Sequence, residues 1–376
     1  MIAYKYKLYQ NKKTKHLDAM LREASFVWNH AIELHKRYYS LFGRYISKSA
    51  MRKHYAKRIK RNLLHSQTTQ EILDRVDTAY QRFFKKIAKR PPKFKKHADF
   101  SSIVYTQSGF SLNGNVLTVN TIQKRFKFSY SRPYDGMVKR IVIKRSRLGE
   151  YYLIIITDAE PKSYEKTHNG ASVGIDFGLK TYMVMSDCTY VKNPQFLKSD
   201  IDNIRCKYRS LSKCNKGSNN RQRKRKDLCR EFENITNKRD DFQWKLAHSL
   251  CRKYDYIFIE DLSFVGMTKI WGQKISDLAH AEFVEKLEYV AMKYGVTVHK
   301  IYRFYPSSKT CECGYVNKEL KLRDREWVCK NCGKVNNRDL NAAENILRRG
   351  ISELCSGCKN GHDSSTHDCT QESNSI

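Results

Sequence analysis

"VGIDFGLKTYMVMSD", Val173–Asp187, is an apolar strand, a tight turn at Gly178 and a second apolar strand. The first of these strands closes on an acid, Asp176. A second apolar run, "DYIFIEDL" (255–262), closes on Glu260 with Asp261 beside it. Between and after them lie helical patterns. Residues 211–254 read as a charged helical hairpin with a glycine turn, and "DLAHAEFVEKLEYVAMKYG" (277–295) as an amphipathic helix. "VTVHKIY" (296–302) is a further strand. Strands alternating with helices predict an α/β sheet.

A carboxylate directly after a buried strand stands at that strand's carboxyl end, where open α/β sheets build their sites. A third acid, Asp339, opens the helix-forming run "LNAAENI". Taken singly, each acid has a bland reading: a turn aspartate, a solvated strand end, a helix cap. Together they form a set. Three converging carboxylates repel one another unless divalent cations sit between them, and carboxylate and water ligands select Mg²⁺ or Mn²⁺.

Composition points the same way. The 376 residues carry 72 Lys and Arg against 38 Asp and Glu, a formal charge of +34. A charge that large calls for a polyanion, first of all nucleic acid. The 24 Tyr and 17 Phe supply faces on which splayed bases stack. Cations concentrate in "KRIKRN" (57–62), "FFKKIAKRPPKFKKH" (83–97) and "NNRQRKRK" (219–226), which read as backbone contacts. No apolar run reaches the roughly 18 residues of a membrane span, and the start "MIAYKYKLYQNKK" lacks a signal-peptide core. A cytoplasmic location is expected. There the 12 cysteines read as thiols or metal ligands.

Four of them, Cys311, Cys313, Cys329 and Cys332, are spaced as a zinc ribbon, with Gly314 and Gly333 at the turns. The first pair is C-x-C, one residue short, and predicts a strained knuckle. Cys355, Cys358, His362, His367 and Cys369 in the tail read as incidental, and Cys188, Cys206, Cys214, Cys229 and Cys251 as structural or surface thiols.

Towards the N-terminus, "AYKYKLY" (3–9) is strand-like. Residues 14–90 are helical, with Leu17, Leu21, Ala24, Val27, Trp28, Ala31 and Leu34 on one face and Ile72, Val76, Ala79, Phe83 and Ile87 on another. "RPPKFKK" (90–96) is expected to stop the second run. Residues 100–160 turn to β periodicity, and the first strand is expected to join that sheet. Residues 161–170 read as a linker, and the stretch after Gly350 as unstructured.

The motifs "GIDFGLK", "IEDLSFVGM", "SSKTCECG", "WVCKNCG" and "NRDLNAAENI", in this order, resemble TnpB, the RuvC-like nuclease family of insertion sequences and a relative of type V CRISPR effectors. "AYKYKLYQN…ASFVWNHAIELH" and "AYQRFF…PKFKK" resemble it too, so the likeness covers about residues 1–350. It implies an RNA-guided DNA endonuclease. A transposon-encoded guide RNA (ωRNA) pairs with the target strand of double-stranded DNA, beside a short flanking motif. It implies an α/β and β multidomain fold: a β-barrel wedge domain (1–12 and 97–165) with an inserted helical recognition domain (13–96), an RNase H-like RuvC domain (171–304 and 336–350), a zinc-ribbon insert (305–335) and a disordered tail (351–376). Asp176, Glu260 and Asp339 match the catalytic acids, ligands of Mg²⁺ or Mn²⁺, with Zn²⁺ on the four cysteines. Tyr45, Ser49, Ser66, Gln67 and Gln70 fall where the family reads its flanking motif. The chain departs from the family at Asn336 and Asn337, where "HDRD" is usual, which reduces the charge of that loop. The alternatives are a compact CRISPR-associated type V effector, or a catalytically weak nucleic-acid-binding regulator on the same scaffold.

Overall fold

The computed structural model describes residues 1–59, 63–164, 170–262, 272, 277–321 and 323–358. Two units, Met1–Pro161 and Lys162–Ile376, divide the chain.

In the first unit, β1 (Ile2–Lys7) buries Tyr4 and Tyr6 and exposes the lysines between them. It is followed by α1 (Thr14–Phe42), α2 (Lys48–Arg58) and α3 (Ser66–Phe84), and then by strands β2 (Ser102–Tyr105), β3 (Phe110–Asn113), β4 (Val116–Val119), β5 (Lys124–Lys127), β6 (Val138–Arg145) and β7 (Tyr151–Thr157). The first strand joins the later sheet as expected: the order is β1-β7-β6-β2, all antiparallel, with β3-β4-β5 a separate meander. Leu8 bridges to Phe128 and ties the two sheets together. The helical insert does not form a core of its own. Leu21, Val27 and Val76 share one hydrophobic cluster with Tyr6, Ile143 and Leu153.

Helix α3 ends before the expected proline stop. The chain turns at Lys86 (φ 57°), and the N–H groups of Ile87 and Ala88 both donate to Arg82 O at 3.0 Å, so Ile87 is exposed. The prolines serve a different purpose. They keep 90–96 extended, and that strap is held along α1. Trp28 Nε1 donates to Lys93 O (3.0 Å), Asn29 Nδ2 to Lys95 O (2.9 Å) and Lys95 N to Asn29 Oδ1 (2.8 Å).

In the second unit, β8 (Ser172–Phe177), β9 (Thr181–Met185), β10 (Tyr190–Lys192), β11 (Tyr256–Glu260) and β12 (Thr297–Ile301) form one sheet in the order β10-β9-β8-β11-β12. The central strands β8, β11 and β12 are parallel; β9 and β10 run antiparallel to their neighbours. After β10 come the short α4 (Phe196–Ser199), α5 (Ile201–Ser212) and α6 (Asn219–Lys253), the last two a hairpin turned at Gly217 (φ 88°). Then follow α7 (His280–Tyr294), the small antiparallel pair β13 (Glu326–Val328) and β14 (Val335–Asn337), and α8 (Arg338–Cys358).

The pleat sorts the side chains. Val173, Ile175, Ile257 and Ile259 face Ala247, Leu250, Phe283 and Leu287 of α6 and α7. Phe258 and Ile301 face Ile346 of α8. Helix α8 continues through Cys358, so residues 351–358 are helical where an unstructured tail was expected. Leu354 packs against the Phe258 cluster and Glu353 accepts from His299 (2.9 Å), which extends the amphipathic face by two turns. Residues 359–376, with His362, His367 and Cys369 of the tail set, lie outside the described residues, as do 60–62 of the first basic tract, 165–169 of the expected linker and 263–267 of "IEDLSFVGM". No described helix is long and apolar enough to cross a membrane.

Two outcomes follow from this packing. A Cβ at Gly174 would collide with Ala343 O and stand 2.6 Å from Leu347 N, both backbone atoms that cannot yield cheaply. Gly174→Ala should therefore lower unfolding free energy by about 3 kcal/mol, at the upper end of overpacking costs, read by denaturant titration. His35, 3% exposed between the rings of Tyr45 (4.7 Å) and Tyr80 (4.4 Å), has its pKa pushed by burial from 6.5 to about 4. The unfolded chain then binds the extra proton, so stability is lost as pH falls from about 6.5 towards 4. His35→Leu should flatten that part of the stability–pH curve.

Candidate functional site

The register of β8 and β11 pairs Ile175 with Ile259, so the next step along both strands sets Asp176 level with Glu260. Both belong to the face covered by α8. That helix can lie against the strands because two glycines remove side chains from the contact. The backbone of Ala343 and Leu347 fills the space above Gly174, and the Phe258 ring fills the space beside Gly350. With its middle pinned over Gly174 and its later turns over Phe258, α8 delivers its first turn, with Asp339, to the strands' carboxyl edge.

The electrostatics register the meeting. Burial, and then the charges of Glu260 and Asp339, push the Asp176 carboxyl up to about 8, while Arg338 and Arg325 pull the other way. Burial also raises Glu260, opposed by a hydrogen bond that Ser307 Oγ donates to its Oε1. Asp339 receives Arg325 Nη1 on both oxygens at 3.1 Å. Among the described residues, the three carboxylates do not form a group with ligand atoms mutually within 4.8 Å; only the four cysteines do.

The bland reading of Asp339 as a helix cap is excluded. Asn337 takes that place: its Oδ1 accepts from the N–H groups of Asp339 and Leu340, each at 3.2 Å. Asn336 is buried, and its Nδ2 donates to Cys311 Sγ (3.6 Å) and Lys334 O (3.2 Å). The two asparagines thus cap the helix and anchor the cysteine module, and the Asp339 carboxylate, not needed as the cap, is engaged by Arg325. Ser307 and Arg325 were not legible in the sequence. They sit 47 and 14 residues from the acids they touch, and although Ser307 opens the motif "SSKTCECG", no local pattern marks either contact.

The cysteine module closes without the strain expected of C-x-C. Sγ of Cys311 lies 3.7 Å from that of Cys332, and Sγ of Cys313 lies 3.6 Å from that of Cys329. Four thiolates about 2.3 Å from a tetrahedral zinc stand about 3.8 Å apart, so the set fits that ion. Gly314 (φ 87°) and Gly333 (φ 71°) make the left-handed turns under each pair, their N–H groups donating to Cys311 O and Cys329 O at 2.9 Å. Asn331 Nδ2 donates to Cys313 Sγ (3.4 Å) and, with the Tyr315 N–H, draws that thiol down to about 6, towards the thiolate a metal needs. Leu320, Trp327 and Tyr315 pack beneath.

Of the residues expected to meet a flanking motif, Ser49, Ser66 and Gln70 are exposed. The Tyr45 hydroxyl donates to Asp77, and Gln67 Oε1 accepts from Thr106 Oγ1, the N–H groups of Gln107 and Ser108, and Ser108 Oγ at 3.2–3.3 Å. Those two therefore also bind their own chain. The tract 219–226 lies at the start of α6, with 222–226 exposed.

Comparison with known proteins assigns the class. The family model described as "Probable transposase" matches residues 155–271, and that described as "Cas12f1-like, TNB domain" matches 280–346. A Streptomyces pristinaespiralis protein named "Putative RNA-guided DNA endonuclease" is 33% identical over 297 residues, 78% of this chain and 73% of its own. One from Escherichia coli K12, "Putative RNA-guided DNA endonuclease InsQ", is 28% identical over 313 residues, 78% and 76%. "TnpB-like protein L79" of Acanthamoeba polyphaga mimivirus is 26% identical over 60% of this chain and 46% of its own. The solved structure described as a Cas12f1-sgRNA-target DNA complex superposes on 90% of this chain and 83% of that one, with a TM-score of 0.52 and 16% identity, a likeness of fold. The fold is a RuvC-like α/β multidomain one. The chain belongs to the TnpB family.

The cysteine geometry yields a direct test. The purified chain should carry one zinc by elemental analysis. Cys329→Ser should reduce that to less than about a tenth, since a structural site needs all four ligands, while Cys188→Ser should leave it unchanged.

Proposed function

We propose that this chain is an RNA-guided DNA endonuclease. A transposon-encoded guide RNA pairs with the target strand, and the RuvC-like unit hydrolyses the DNA phosphodiester beside a short flanking motif. The observation that carries the reading is the electrostatic state of Asp176. A carboxyl raised to about 8 by burial and two neighbouring acids marks a site short of positive charge, which divalent cations would supply.

Asp176, Glu260 and Asp339 would hold the Mg²⁺ or Mn²⁺. Such a pair, when bound, activates water and stabilises the leaving oxygen. The chain's own residues prepare the place. Ser307 engages one oxygen of Glu260 and so orients the other. Arg325 holds both oxygens of Asp339 and offsets its charge. Burial of Asp176 lowers the local dielectric and strengthens every charge interaction there.

In this reading the wedge is 1–12 and 97–165 and the helical recognition segment is 13–96, with Tyr45, Ser49, Ser66, Gln67 and Gln70 near the flanking motif. Residues 305–335 are the zinc-ribbon insert that handles the target. The cationic tracts bind phosphates and leave sequence choice to guide pairing.

The test joins two measurements. RNA copurifying with the protein, expressed with its native flanking DNA, should be one defined species. Asp176→Ala should cut target DNA slower by about 10³-fold or more while retaining that RNA, because binding rests on phosphate contacts elsewhere. Near wild-type cutting by the variant would remove Asp176 from the site, and heterogeneous RNA would remove the guide.

A further inference from the structure

Strand β12 ends at Ile301, the register partner of Glu260, and the chain then at once presents two large rings to solvent. Tyr302 is 61% exposed and Phe304 75%, with ring centres 5.6 Å apart at 65°. Arg303 between them is held down by Asp261. Its Nε donates to Asp261 O (2.8 Å) and its Nη2 to Asp261 Oδ2 (2.6 Å). Two tight turns follow: Tyr305 N donates to Tyr302 O (3.1 Å) and Ser307 N to Tyr305 O (2.8 Å). They send Tyr305 inward to the Phe258–Ile301–Ile346 cluster and Ser307 to the Glu260 carboxylate. One short segment thus grips a candidate catalytic acid with its inner half and displays two aromatic rings with its outer half. An open groove of about 610 Å³ runs past Asp261, Lys300 and these rings.

We propose that Tyr302 and Phe304 form a stacking platform for unpaired bases of the DNA strand led to the carboxylates. The proposal deepens the nuclease reading and rests on it. Hydrolysis at Asp176 and Glu260 requires the neighbouring nucleotides to be held still. Aromatic faces do this for any base, which suits an enzyme whose target is chosen by pairing elsewhere. The +34 charge of the chain complements a polyanionic strand, while Lys300 and Arg303 beside the rings are paired with Glu288 and Asp261 at 2.6 Å. The turns that fix Ser307 on Glu260 fix the rings relative to the site, so the platform is a positioning device and the rings take no part in the chemistry.

The experiment uses the full chain and single-stranded DNA oligonucleotides carrying 2-aminopurine at successive positions, whose fluorescence falls on stacking. The wild type should quench the probe at one or two adjacent positions. Tyr302→Ala with Phe304→Ala should abolish that quenching and raise KM for cleavage about 10-fold or more with kcat little changed. Tyr302→Phe with Phe304→Tyr should restore both. Because the rings are exposed, the variants should keep the wild-type circular dichroism. Equal quenching in wild type and double alanine variant would overturn the platform, as would no quenching in either. Loss of self-association in the alanine variant without a change in quenching would give the rings to a second copy of this chain instead. Quenching without metal-dependent cutting would remove the nuclease reading and keep the platform. Cutting at unchanged KM by the alanine variant would do the reverse.

Discussion

The second unit depends on one close approach. Helix α8 touches β8 where Gly174 has no side chain, so that the helix backbone at Ala343 and Leu347 occupies the space a Cβ would need. Everything at the carboxyl edge follows from that contact. It sets how far the helix slides along the strands, and so how near Asp339 comes to Asp176. Gly350 over Phe258 repeats the device further along, which gives two fixed points and therefore a direction. A helix held at one point could pivot; held at two, its first turn has a defined place.

The second constraint is charge. Desolvation, and then the charges of Glu260 and Asp339, push the half-buried Asp176 carboxyl up to about 8, in a chain that is otherwise strongly cationic. The protein tempers this with its own groups: Arg325 on Asp339, Arg338 nearby and Ser307 on Glu260. Arg325 comes from the segment just before β13, within the cysteine module. The four-cysteine site and the carboxylate site are therefore mechanically joined, through Arg325 on one side and through Asn336 and Asn337 on the other. The fold of the four-cysteine module thus bears on where the acid Asp339 stands.

Much of this was legible beforehand, and the reasons are specific. The strand at Ser172–Phe177 and the strand at Tyr256–Glu260 are apolar runs that end in an acid, and burial on both faces leaves no other reading. The hairpin turn at Gly217 and the joining of β1 to the later sheet were visible in turn chemistry and alternation. The misreadings have equally local causes. Helix α3 was extended to its prolines because proline is a strong stop signal, yet a left-handed Lys86 ended it first. The stretch after Gly350 reads as unstructured because the tail lacks apolar periodicity, yet Gly350 is the contact residue over Phe258 and the helix continues for eight more residues. Asn336 and Asn337 looked like lost charge because their partners, a cysteine sulfur and two backbone N–H groups, are fixed only in the folded chain.

The element types, the four cysteines, the three acids and the need for a polyanion are legible in the unfolded chain. Those properties are carried by residue identity, short spacing and summed charge, which do not depend on how distant segments meet. That the acids share one edge, that Arg325 and Ser307 engage two of them, and that Tyr302 and Phe304 stand exposed after β12 emerges only once the chain has folded. Such facts depend on strand register and on the distance of closest approach between helix and sheet. Both are set by the packing of the whole unit, and no local pattern in the chain encodes them.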